Sequence, residues 1–100
     1  MKNEPYWPTT LDEAVKAVLA SLCGEDIKFI KKMNKEELFQ LHHNLGQKIR
    51  NEFGLWHGNV DLAKSCGVPV FGNQFIPDLV SEKIIGEVWT VIRYGKDKTS

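Results

Sequence analysis

The sequence predicts a single all-α domain of about five helices. Three observations carry that expectation: apolar residues recur at helical spacing in several separate stretches, capping residues stand at the start of these stretches, and proline and glycine fall mainly between them. With 100 residues, 42% of them apolar and 26% charged, the chain can build one core and is too short for two. The domain is expected to span 1–100, with an extended N-terminal arm over 1–8 and a polar tail over 96–100. No internal repeat or low-complexity segment interrupts it.

In the arm, Pro5 and Pro8 restrict the backbone, and Tyr6 and Trp7 supply rings expected to dock on the domain. Thr10 and Glu13 fit a capping box, each satisfying the other's free amide. Leu11, Ala14, Val15, Val18, Leu19 and Leu22 then form the apolar stripe of the first helix, with Gly24 as its C-terminal cap. A short second helix follows from about Glu25 to Lys32, with Ile27, Ile30 and Met33 inward and charges that complement its dipole.

Asn34 and Glu37 repeat the capping pattern and open a third helix, read as one continuous amphipathic segment to Gly54. Leu38, Leu41, Leu45 and Ile49 form one apolar row, and Phe39, His42, Gly46 and Phe53 the row beside it. Gly46 costs about 1 kcal/mol relative to alanine inside a helix, which points to close approach by a neighbour. Gly54 supplies a left-handed cap, followed by Leu55 as the accompanying apolar contact. Asn59 caps a short fourth helix from Val60 to about Ser65. The segment from Val68 to Pro77 reads as an apolar loop in preference to a strand, because of its prolines and glycine. Pro77 and Asp78 start the last helix, which buries Val80, Ile84, Ile85, Val88, Trp89 and Ile92. Helices one, three and five are expected to make the main core.

Composition removes several functions. Thirteen basic residues balance thirteen acidic ones, so nucleic acid is an unfavourable partner. No stretch approaches the roughly 20 apolar residues of a membrane span, and no apolar run follows Lys2 as in a signal peptide. A cytoplasmic protein is the expectation. Cys23 and Cys66 show no metal-ligand spacing and read as reduced, buried thiols. No cofactor is implied.

Around Leu41 to Gly67 the pattern becomes specific: H-x-x-L-G-x-x-I-R-N-x-F-G-L-W-x-G-N, then S-C-G. An opening P-T-T-L-D-E-A-V and a closing P-D-x-x-S-x-x-I-I-x-x-x-W, here Pro77 to Trp89, accompany it. Together these stretches, from Pro8 to Arg93, resemble an uncharacterised family of small bacterial helical domains with an I-R-N-x-F-G-L-W-x-G-N signature. His43 and Asn44 depart from that pattern. The resemblance implies a helical fold and supplies no mechanism.

The polar residues of this region are the candidate site. The planar fork of Arg50 suits a carboxylate or phosphate; equally, Arg50 can pair with Glu52, Glu87 or a backbone carbonyl and pin the turn, with Asn51 holding loop carbonyls. Trp56 suits an interface anchor or a stacking platform, or it covers the edge of the core. His42 lies near the apolar row and reads as a core histidine. His42 and His43 point about 100° apart on a helix, so they do not chelate one metal, and no metal motif is present. Cys66 near a helix C-terminus has its thiolate disfavoured.

The expected function is a small non-catalytic binding module of bacterial or phage origin. Its binding residues would be Arg50, Asn51, Trp56, His57, Lys48 and His43, and its partner another protein or a second copy of the chain, in an interaction, regulatory or inhibitor-type role. One alternative is capture of a small anionic ligand such as a nucleotide by Arg50 and Lys48, with Trp56 or Phe75 stacking on it. Another is an enzyme with His57 or His43 as base and Arg50 as electrostatic stabiliser, for which no catalytic constellation is visible.

Overall fold

Thr10 takes an extended backbone, and its hydroxyl accepts the Glu13 amide at 3.1 Å, which starts α1 (Leu11–Ser21). The carboxylate of Glu13 accepts from Thr9 and not from Thr10, one residue earlier than the sequence pattern implies. This computed structural model describes residues 7–95, so the expectations for Tyr6, the start of the arm and the 96–100 tail lie outside the described residues.

Gly24 does not close α1. Leu22 leaves the helix in an extended conformation, and Gly24 is already the first residue of α2 (Gly24–Lys31). The reason is local: Asp26 accepts the Cys23 amide at 3.2 Å and so starts a new helix immediately. Cys23, expected to be buried, is exposed at that cap, whereas Cys66 is buried. Both thiols are free.

The long third helix is in fact two elements. Lys35–Leu41 is a 3₁₀ helix, residues 42–44 turn, and α3 runs over Leu45–Glu52. Glu37 accepts the Asn34 amide at 2.8 Å, as the capping pattern predicts, but the element it starts winds at three residues per turn. That winding aligns Leu38 with Leu41 toward the core and leaves Phe39 outside, 72% exposed. Asn44 then restarts the chain, its side chain accepting from Leu45 N–H at 2.7 Å.

A short 3₁₀ turn (Leu55–His57), α4 (Val60–Ser65) and α5 (Pro77–Tyr94) complete the order. The expected loop between α4 and α5 is a loop. Phe71 and Gln74 exchange backbone hydrogen bonds of 2.9 and 3.0 Å around Gly72 and Asn73, and no strand forms among the described residues.

α5 is the hub, packing against α1 to α4 and both 3₁₀ elements, with α3 and α1 as its principal partners. Val80, Ile84 and Val88 are fully buried along it; each such side chain contributes roughly 2 kcal/mol through burial. At its far end Trp89 Nε1 and Arg93 Nη1 both donate to the Met33 carbonyl at 2.8 Å, which satisfies backbone just beyond α2. No helix among the described residues is long and apolar enough to cross a membrane.

Candidate functional site

A continuous helix through residues 42–46 would pair the His42 carbonyl with the Gly46 amide. Instead the carbonyl accepts from Arg50 Nη2 at 3.1 Å. The other terminal nitrogen, Nη1, donates to Ser81 Oγ at 2.9 Å, and Ser81 donates in turn to the Asp78 carbonyl at 3.0 Å. Nε of Arg50 stands 3.5 Å from Asp78 Oδ1, close enough for an ion pair but outside hydrogen-bonding geometry, and it has no other partner. The guanidinium therefore joins the 42–44 turn, α3 and the start of α5, and Arg50 is only 3% exposed.

Of the partners read from sequence, the backbone carbonyl is the one used, and neither Glu52 nor Glu87 contacts Arg50. Gly46 explains how the guanidinium fits. A Cβ there would stand 3.0 Å from Arg50 Nη1, tighter than an ordinary contact, whereas Ile85 Cδ1 on α5 would be at a normal 3.6 Å, so the glycine makes room chiefly for the arginine.

Lys48 and Arg50 do not converge. Two residues apart on a helix, they point about 200° from each other. Lys48 lies outside, 3.6 Å from Glu52, while Arg50 faces inward. The paired anion clamp expected of them is not formed, and Phe75, the other proposed stacking ring, packs against the core.

Asn51 and Trp56 are brought together. Asn51 Oδ1 accepts the Trp56 indole N–H at 3.0 Å and the Gln47 amide at 3.3 Å, and Gln47 Oε1 in turn accepts from Arg50 Nη2 at 3.4 Å. Trp56 is nevertheless 54% exposed, so its polar atom is satisfied while much of its ring faces outward.

His57 lies elsewhere, parallel to the Trp7 ring with 6.3 Å between centroids. Gly54 makes that docking feasible: at φ +72° it needs no Cβ, and one would stand 2.5 Å from Trp7 ring carbons. Asn59 completes the clamp. It accepts from Leu62 N–H as a helix cap, and its amide donates to the carbonyls of Pro8 and Phe53 at 2.9 and 2.8 Å. Ser65 accepts the Leu11 amide at 2.7 Å. The turn after α3 is thus a receptor for the chain's own N-terminal segment.

His42 is not a core histidine. The turn at 42–44 leaves it partly exposed, with Nε2 3.6 Å from Asp78 Oδ2, an attraction present when the ring is protonated. The same break sets His42 and His43 edge to face, 4.9 Å between centroids, where a helix would separate them. Both line an open groove of about 770 Å³ between the 3₁₀ helix and α5, with Phe39, Asp78 and Glu82. No group of three or more potential metal ligands stands together among the described residues. His57, His43 and Arg50 do not share one cleft, as the catalytic alternative requires. His57 is stacked on Trp7, His43 faces the groove, and Arg50 is buried behind Asp78.

Burial pushes the Cys66 thiol up from 9.0 to about 11, with Lys83 opposing and Glu87 adding to the shift. It is not a nucleophile near neutral pH.

Sequence reasoning missed Asp78 and Ser81 as partners of Arg50. The available signal was Ser81 itself, a polar residue in register with Ile84, Ile85 and Val88 on the buried face of α5. The I-R-N and P-D-x-x-S stretches of the sequence meet in this one cluster.

No curated protein and no solved structure matches the chain. The model of the family described as a domain of unknown function (DUF6794) matches residues 7–91.

Proposed function

The chain belongs to the DUF6794 family, and we propose from its own geometry that it is a small non-catalytic protein-interaction domain whose contact surface centres on Trp56. We place it in the cytoplasm of a bacterium or phage-infected cell, in a regulatory or inhibitor-type role. The observation that carries this reading is the state of Trp56: a half-exposed indole whose only polar atom is already bonded to Asn51. Such a ring offers apolar area to a partner without desolvating a free donor, and its orientation is set in advance. Cys23 and Cys66 as free thiols are compatible with a reducing compartment.

Native mass spectrometry of the protein purified gently from the organism that encodes it tests the proposal. A bound protein-sized mass, or a clean dimer, that disappears in Trp56→Ala is the expected result. A bare monomer for both proteins, or a complex that survives Trp56→Ala, would remove Trp56 from this role. Trp56→Ala gives up the covered half of the ring and the bond to Asn51, a cost of about 2–3 kcal/mol, so a cooperative thermal unfolding transition of the variant is recorded alongside the mass spectrum to show that it is folded.

A further inference from the structure

We infer that the groove between the 3₁₀ helix Lys35–Leu41 and the first turns of α5 receives a short basic and partly apolar segment of a partner protein. The inference rests on the reading of the chain as an interaction domain, but it concerns a surface that Trp56 does not line.

The groove has an apolar floor and an acidic rim. Ile85 and Leu38 belong to the core beneath it, and Phe39 stands 72% exposed at its edge. Three carboxylates, Glu36, Asp78 and Glu82, line it against one lysine, Lys35. They are not equivalent. Asp78 faces the Arg50 guanidinium, which offsets its charge from behind, and His42 adds to this only when its ring is protonated. Glu36 and Glu82 form no ion pair among the described residues. Asp78 and Glu82 sit four residues apart on α5 and so share one face of it.

An occupant that complements this surface carries a lysine or arginine for Glu36 and Glu82. Its aliphatic stem lies against Phe39, where the ring also attracts the cation. A neighbouring apolar side chain covers the floor. With His42 and His43 uncharged, an acidic segment would meet two unpaired carboxylates with a single lysine to offset them, so charge selects the basic partner.

The test is an NMR titration of the ¹⁵N-labelled full chain with the peptide acetyl-(Leu-Lys-Arg)3-amide and its acidic counterpart acetyl-(Leu-Glu-Asp)3-amide. The basic peptide should shift amides over 35–43 and 78–85, and the acidic one should not. Glu36→Gln/Glu82→Gln should weaken binding at least about fivefold, as expected for two rim charges. Glu25→Gln/Asp61→Asn, with the same change in net charge elsewhere, should leave it unchanged, and so should Trp56→Ala. Shifts spread over the whole surface, equal binding of both peptides, equal loss in the two double variants, or no shift at all would each overturn the inference. The mass-spectrometric test of Trp56 stands apart from these outcomes, so either surface can fail without the other.

Discussion

The main-chain oxygen of His42 is held by the side chain of Arg50, eight residues later, at 3.1 Å. The same histidine turns its ring toward Asp78, which also faces Arg50 Nε. His42 thus closes a ring of contacts around the guanidinium, and the break between the 3₁₀ helix and α3 is part of that ring. Arg50→Ala should cost about 3 kcal/mol, from lost charge-assisted hydrogen bonds and the space left behind. Arg50→Lys should recover little, since one ammonium cannot reach both Ser81 and the His42 carbonyl as the fork does. Urea midpoints of the two variants check this; a lysine variant as stable as the native chain would show that charge alone matters.

Asn59→Asp separates capping from clamping. Aspartate keeps an acceptor for the Leu62 amide but loses both donor bonds, to Pro8 and Phe53, and turns a carboxylate toward two carbonyls. It should destabilise the domain by about 2–3 kcal/mol, no less than Asn59→Ala. If Asn59→Asp were near neutral in thermal unfolding, the cap alone would account for the residue.

Gly54→Ala combines two costs: a left-handed backbone, about 1 kcal/mol for a residue with Cβ, and displacement of Trp7. In a Trp7→Ala background only the first cost should remain. The double-mutant cycle should therefore show a coupling of about 1 kcal/mol or more, and Trp7 emission should change in the single variant. Additive effects would mean that Trp7 moves aside freely.

Cys66 makes stability depend on alkaline pH. Its thiol holds its proton more tightly in the folded chain, with the value raised from 9.0 to about 11. The contribution is therefore complete below pH 9 and is lost as pH rises toward 11, by at most about 3 kcal/mol. Chemical denaturation at pH 8 and pH 10.5 should show a smaller loss in Cys66→Ala than in the native chain. Equal losses would mean that the buried thiol is not the group responsible.

Much of the fold was legible because the relevant physics is local. Thr10, Asn34, Asn59 and Pro77 start elements where the sequence places starts, and the apolar stripe of α5 is its buried face. The break at 42–44 was not legible. Periodicity alone does not distinguish a 3₁₀ helix followed by an α-helix from one long helix, because Leu38, Leu41 and Leu45 satisfy both. The same limit hid the exposure of Phe39. In the candidate site, Trp56 and Asn51 are both binding candidates by sequence and the structure joins them, whereas Arg50 and Lys48, paired in the anion-binding alternative, lie on opposite sides of α3.

An all-α domain, the approximate starts of most of its helices, the left-handed turn at Gly54 and the capping role of Asn59 can all be read along the chain. These follow from residue-by-residue backbone preferences. The burial of Arg50, its reception by Ser81 and Asp78, and the docking of Trp7 over Gly54 emerge from the packing of distant segments. Each of those contacts joins residues tens of positions apart, and the cost of burying a charge is met only when partners from α5 and the 42–44 turn arrive together.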